Sequence, residues 1–117
     1  MSDERLGIRA QVLLWTAQRI SAAILAVCVI IHLVTVIYAV QNGLSAAEIL
    51  GRTRGSTAWA GFYALFVAAV AVHAPIGLRS VIAESLNWRG RGLDVFVLAM
   101  GVLLALWGFR AVYAIFI

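Results

Sequence analysis

The sequence predicts an all-α protein, an integral membrane bundle of three transmembrane helices with its N-terminus inside. Hydrophobic residues make up 64% of the 117 positions and the mean hydropathy is +1.02, where a soluble domain is only about half apolar. Three apolar runs each reach the ~20 residues that a ~30 Å hydrocarbon core demands of a helix. The nine basic residues, every one an arginine, are scattered between these runs and near their ends.

The first 19 residues are polar or mixed and carry Asp3, Glu4, Arg5, Arg9 and Arg19. The apolar run after them, about 20–40, is too long for a signal-peptide core and is expected to be retained as the first span. Between it and the second span, about 59–82, lies a polar stretch with Asn42-Gly43, Glu48, Arg52, Arg54 and Gly55. Within it, Ser45 followed three residues later by Glu48 is a capping-box pattern that predicts a short interfacial helix over 45–50. A turn rich in Gly and Arg, 84–92, leads to the third span, about 93–117. The whole chain, 1–117, reads as a single membrane-anchor domain.

Arginine placement orients the bundle. With the N-terminus inside, Arg5, Arg9, Arg19, Arg79, Arg89 and Arg91 face the inner side, against Arg52, Arg54 and Arg110 outside. Trp15, Tyr38, Trp59, Trp88, Trp107 and Tyr113 fall near span ends, where amphipathic rings prefer the interface. Gly61, Ala64, Ala68 and Ala71 form a small-residue face on the second span, and Gly101 and Gly108 read likewise on the third.

Several functions are disfavoured. The net charge of +4 belongs to interfacial arginines rather than to a nucleic-acid surface. A single cysteine, Cys28, allows neither a disulfide framework nor a thioether haem attachment. No nucleophile–base set or phosphate-binding loop is present, so the chain is not a catalyst by itself. A transporter would show paired ionisable groups or broken helices in corresponding halves.

An ionisable side chain in hydrocarbon needs a partner or a task. His32 and His73, the only histidines, both fall inside spans. Each either hydrogen-bonds a neighbouring helix or ligates haem iron through a neutral imidazole. Around His73 the second reading gathers support. Ala69 and Gly77, four residues to either side, leave room for a flat macrocycle. Pro75 removes a helix donor, and Arg79, six residues on, lies near the inner interface, either as an anchor or as a counter-charge to a haem propionate. His73 and Gly77 thus become cofactor-binding candidates together with Arg79.

The H-x-x-x-G-x-R pattern of residues 73–79, with Gln18-Arg19-Ile20-Ser21 at the first span, resembles the cytochrome b membrane-anchor subunits of succinate dehydrogenase and fumarate reductase. Members often open their first span with His-Arg-x-Ser-Gly; here Gln18 replaces the His and Ala22 the Gly. The resemblance implies docking of an iron–sulfur subunit and a flavoprotein subunit, and electron transfer to or from a quinone. It further implies His73 as an axial ligand of haem b, Arg79 near a propionate, and Arg19 and Ser21 near a quinone or propionate. Trp15 stands where the family often carries a quinone-binding Ser. The expected location is a bilayer crossed several times, the bacterial inner (cytoplasmic) membrane.

Depth counted from the inner arginines puts His73 ~9 Å in and His32 ~20 Å in. Side chains ~10 Å apart in depth do not share an iron. A second ligand must come from a second membrane-anchor subunit or a second copy of this chain, and the number of haems is one or two. With two, His73 serves the inner haem and His32 the outer, and Glu48 becomes a proton-handling candidate. Otherwise Cys28 and Thr35 flank His32, and Thr35 hydrogen-bonds it. The competing reading is a haem-free structural or accessory membrane subunit without a redox role.

Overall fold

A computed structural model describes residues 7–117; Asp3, Glu4 and Arg5 lie outside the described residues. Four helices follow in order: α1 (Ile8–Gln41), α2 (Ala46–Thr53), α3 (Thr57–Ser85) and α4 (Arg91–Phe116), with no strand among the described residues. Helices α1, α3 and α4 are each long and apolar enough to cross a membrane. The bundle measures 52 × 25 × 22 Å.

Helix α1 begins at Ile8, twelve residues ahead of the expected span. No Gly or Pro interrupts residues 8–19, so the backbone stays helical past the end of the apolar run. At 34 residues the helix is ~51 Å long and overshoots a ~30 Å core. Along the part of α1 that precedes the apolar run, the Arg19 guanidinium lies 5.3 Å from the centre of the Trp15 ring.

The short helix α2 forms as its capping box predicts. Ser45 Oγ accepts from the Glu48 N–H at 3.2 Å and Glu48 Oε2 from the Ser45 N–H at 2.7 Å, filling two donors that a helix start leaves open. Helix α2 rests against the far end of α4, where the Gly55 N–H donates to the Phe116 carbonyl at 2.7 Å. Arg52 covers the Tyr38 ring there.

Helix α3 is the centre of the bundle and packs on α4 and on α1. A small cluster of Ala83, Leu93 and Val97, with Leu78 and Ile82 against it, closes the end nearest the α3–α4 turn. Few side chains are buried, while a long series of Leu, Ile, Val and Trp residues is exposed. That balance suits a chain whose solvent is lipid, which provides no hydrophobic drive between helices.

Close packing is carried mainly from α4. A Cβ on Gly108 would meet Val67 Cγ1 at 2.5 Å, and one on Gly101 would meet Pro75 Cγ at 2.8 Å. The small-residue face expected on α3 is used only in part. Ala71 lies under Gly101, but a Cβ on Gly61 would touch nothing and Ala68 is exposed. The side of α3 that meets α4 runs through Val67, Ala71, Pro75 and Leu78, at helical spacing.

Candidate functional site

His73 sits half-buried on the side of α3 that faces α1. Opposite it, Ser21 is 4% exposed, and its Oγ lies 3.3 Å from His73 Nδ1. The same hydroxyl donates to the Gln18 carbonyl one turn back, at 3.1 Å. Ser21, expected near a quinone or propionate, is thus the direct neighbour of the candidate ligand. Among the described residues, His73 Nε2 has no hydrogen-bond partner. An imidazole anchored through one nitrogen and open at the other is the arrangement that metal-binding histidines use, so the donor chemistry fits a haem iron. No group of three His, Cys, Asp or Glu side chains among the described residues could hold a bare metal ion.

Gly77 does not open onto free space. A Cβ there would lie 3.2 Å from Gln18 Nε2, so the missing side chain makes room for an amide of α1. Gln18 Oε1 is buried and has no partner among the described residues, a situation that costs about 1–3 kcal/mol. Ala69, the other small neighbour of His73, is also buried against the bundle.

Arg79 is only 7% exposed, and its Nε donates to Asp94 Oδ1 at 2.9 Å. Sequence reasoning assigned Arg79 to an interface or a propionate and passed over Asp94. The signal was present: a short turn joins α3 to α4, which brings the last turns of one helix beside the first turn of the next. Arg19 is not brought to His73. It is exposed and stacked on Trp15, because residues two apart on a helix point to opposite sides and Ser21 takes the inward one.

His32 has a different setting. It is exposed, its Nδ1 lies 3.2 Å from the Tyr63 hydroxyl, and Tyr63 and Phe66 meet the ring edge-on. Thr35 does not bond the ring as expected; it donates to the His32 backbone carbonyl at 2.7 Å, the usual habit of a hydroxyl within a helix. Cys28 is sealed between helices at 2% exposed. Tyr63 went unread in the sequence, although Trp59, Phe62, Tyr63 and Phe66 form one continuous aromatic cluster.

Two independent rulers separate the histidines. Ser21, at the level of His73, is eleven residues from His32 on α1, or ~16 Å. Tyr63, at the level of His32, is ten residues from His73 on α3, or ~15 Å. The separation exceeds the ~10 Å that counting from Arg19 and Arg79 predicts. The reason is register: Gln18 packs on Gly77, so Arg19 lies nearer the middle of the bundle than Arg79, and the two arginines do not mark one plane.

Three open cavities surround these groups. One of about 390 Å³ near the start of α1 is lined by Gln11, Trp15, Gln18, Ile76 and Ser80. Two larger ones, of about 650 and 600 Å³, share His32, Ile49, Thr53 and Tyr63.

No curated protein matches the chain, and no solved structure does. The family model described as succinate dehydrogenase/fumarate reductase transmembrane subunit matches residues 3–109, nearly the whole length, and the chain belongs to that family.

Proposed function

We propose that this chain is a haem-b-binding membrane-anchor subunit of a succinate:quinone oxidoreductase-type complex, passing electrons to or from quinone. Family membership implies association with the flavoprotein and iron–sulfur subunits of such a complex. The observation that carries the haem reading is His73, held through Nδ1 by Ser21 and open at Nε2.

Haem, when bound, supplies a one-electron carrier within the bilayer. His73 is the ligand from this chain, and Ser21 fixes the plane of its ring. Since His32 is ~15 Å away along the helices, it would not share an iron with His73, and any further ligand would come from a second anchor subunit or a second copy. Arg79 provides a guanidinium toward a propionate at the same end, with Asp94 holding it in place. The cavity beside Trp15 and Gln18 offers amide and hydroxyl groups for a quinone head, and Arg19 stands on the exterior, toward a neighbouring subunit. With the N-terminus inside, this end meets the soluble subunits.

A second reading, a haem-free anchor, is favoured by two contacts. Gln18 already occupies the space beside Gly77, and Arg79 is already paired. A dithionite-reduced minus oxidised spectrum of the purified complex, with haem quantified per complex, decides between them. A b-type band lost in His73→Ala supports the first reading; a complex that assembles with no b-type band leaves only the second.

A further inference from the structure

Each histidine meets a hydroxyl through Nδ1, and the two hydroxyls are not equivalent. A Ser hydroxyl has one proton to give and lone pairs to receive with. The proton of Ser21 has an acceptor in the Gln18 carbonyl at 3.1 Å. With that bond made, Ser21 Oγ receives a hydrogen from His73 Nδ1–H across 3.3 Å, and both bonds coexist. The opposite tautomer keeps only one of them, because Ser21 must turn its single proton from Gln18 toward Nδ1. In a lipid-embedded bundle no water restores the lost bond, so the arrangement with two bonds prevails.

Tyr63 has no such carbonyl. Among the described residues its hydroxyl has one hydrogen-bond partner, His32 Nδ1, at 3.2 Å. A phenol is a much stronger acid than an alcohol, and its oxygen is a weak acceptor because its lone pair is drawn into the ring. A neutral imidazole nitrogen is the better acceptor. The proton therefore stays on Tyr63 and points at Nδ1, which leaves the hydrogen of His32 on Nε2.

We propose that Ser21 and Tyr63 set opposite tautomers, so that His73 presents a bare Nε2 and His32 presents an Nε2–H. Resting on the haem reading above, this assigns the chain one iron ligand, His73, with Ser21 as its positioning residue. His32 is a hydrogen-bond donor at the wall shared by the two larger cavities and does not ligate iron.

The direct test is solid-state NMR of the full chain in lipid bilayers, with ¹⁵N-labelled histidine. Two histidines give two spin systems, assigned with His32→Ala. The expected result is a protonated Nδ1 for His73 and a protonated Nε2 for His32. The same tautomer at both sites, or the reverse assignment, overturns the proposal. This measurement needs no haem, so it stands or falls separately from the haem reading.

In the assembled complex, Ser21→Ala removes the acceptor through which His73 would donate more electron density to the iron. The haem midpoint potential then rises, and Ser21→Thr returns it toward the parent value. An unchanged potential in Ser21→Ala overturns the positioning role. His32→Ala leaves the haem-to-complex ratio as it was; a ratio that falls by half shows that His32 ligates and overturns the single-ligand assignment. A parent complex without any haem b overturns the haem reading instead, with the tautomers still decided by NMR.

Discussion

Gly101 lies directly against Pro75: a Cβ at Gly101 would come within 2.8 Å of the proline Cγ and 3.3 Å of the Ala71 carbonyl oxygen. Pro75 has no N–H to offer the carbonyl four residues back, so the Ala71 oxygen faces the Gly101 backbone, where a Cα–H is its available neighbour. Gly101→Ala forces α3 and α4 apart at Ala71 and Pro75 and is expected to cost about 1–3 kcal/mol. Gly61→Ala, where a Cβ touches nothing, serves as the control. Thermal unfolding of the two variants in detergent checks the difference, and equal midpoints would show that the Pro75 contact carries no weight.

Arg79 and Asp94 form an ion pair of unequal burial, with side chains 9% and 40% exposed. Removing the acid takes a charged partner from a guanidinium that is itself nearly buried, which costs more than removing both charges. Asp94→Asn is expected to lower stability by about 2 kcal/mol, the size of a hydrogen bond to a charged group. Arg79→Met combined with Asp94→Asn should recover part of that loss. A double-mutant cycle on the detergent-solubilised chain measures it; simple additivity would mean that the pair contributes no coupling.

The Glu48 carboxyl is held below its ordinary value of 4.5, chiefly by the backbone N–H of Ser45, then by the Ser45 side chain, with Arg52 adding. A depressed folded value makes the capping box a source of stability above pH 4.5 that fades as pH falls through the lower, folded value. Hydrogen-exchange protection of α2, corrected for intrinsic rates, is expected to be constant at neutral pH and to drop below 4.5. In Glu48→Gln the drop should vanish. A pH-independent α2 in the parent protein would separate its stability from this carboxylate.

What the sequence made legible was whatever depends on nearby residues. Apolar runs of ~20 residues are fixed by bilayer thickness, and the Ser45–Glu48 box is decided within four residues, so both are visible without coordinates. The start of α1 was not, because bilayer thickness limits an apolar run and not a helix. At the site, the residue types were legible while their partners were not. Ser21 against His73, Gln18 in the notch of Gly77 and Tyr63 against His32 depend on the register of α1 on α3, which helical periodicity alone leaves free. Asp94 was the exception, since the short turn before α4 already implied a neighbour for Arg79.

Orientation rests on charge, and the structure provides clean positions to test it. Leu86, 71% exposed, lies in the α3–α4 turn, while Ala47, exposed at the start of α2, lies at the opposite end. Neither carries a charge, so Leu86→Cys and Ala47→Cys leave the arginine distribution untouched. Cys28, at 2% exposed, contributes no background. Basic residues in short loops hold to the cytoplasmic side, and Arg89 and Arg91 flank the α3–α4 turn. In intact cells an impermeant maleimide is therefore expected to label the Ala47→Cys variant but not the Leu86→Cys variant, with the pattern inverted in inside-out vesicles. The inverse result would put the end carrying Ser21, His73 and Arg79 on the outer side and overturn the proposed orientation.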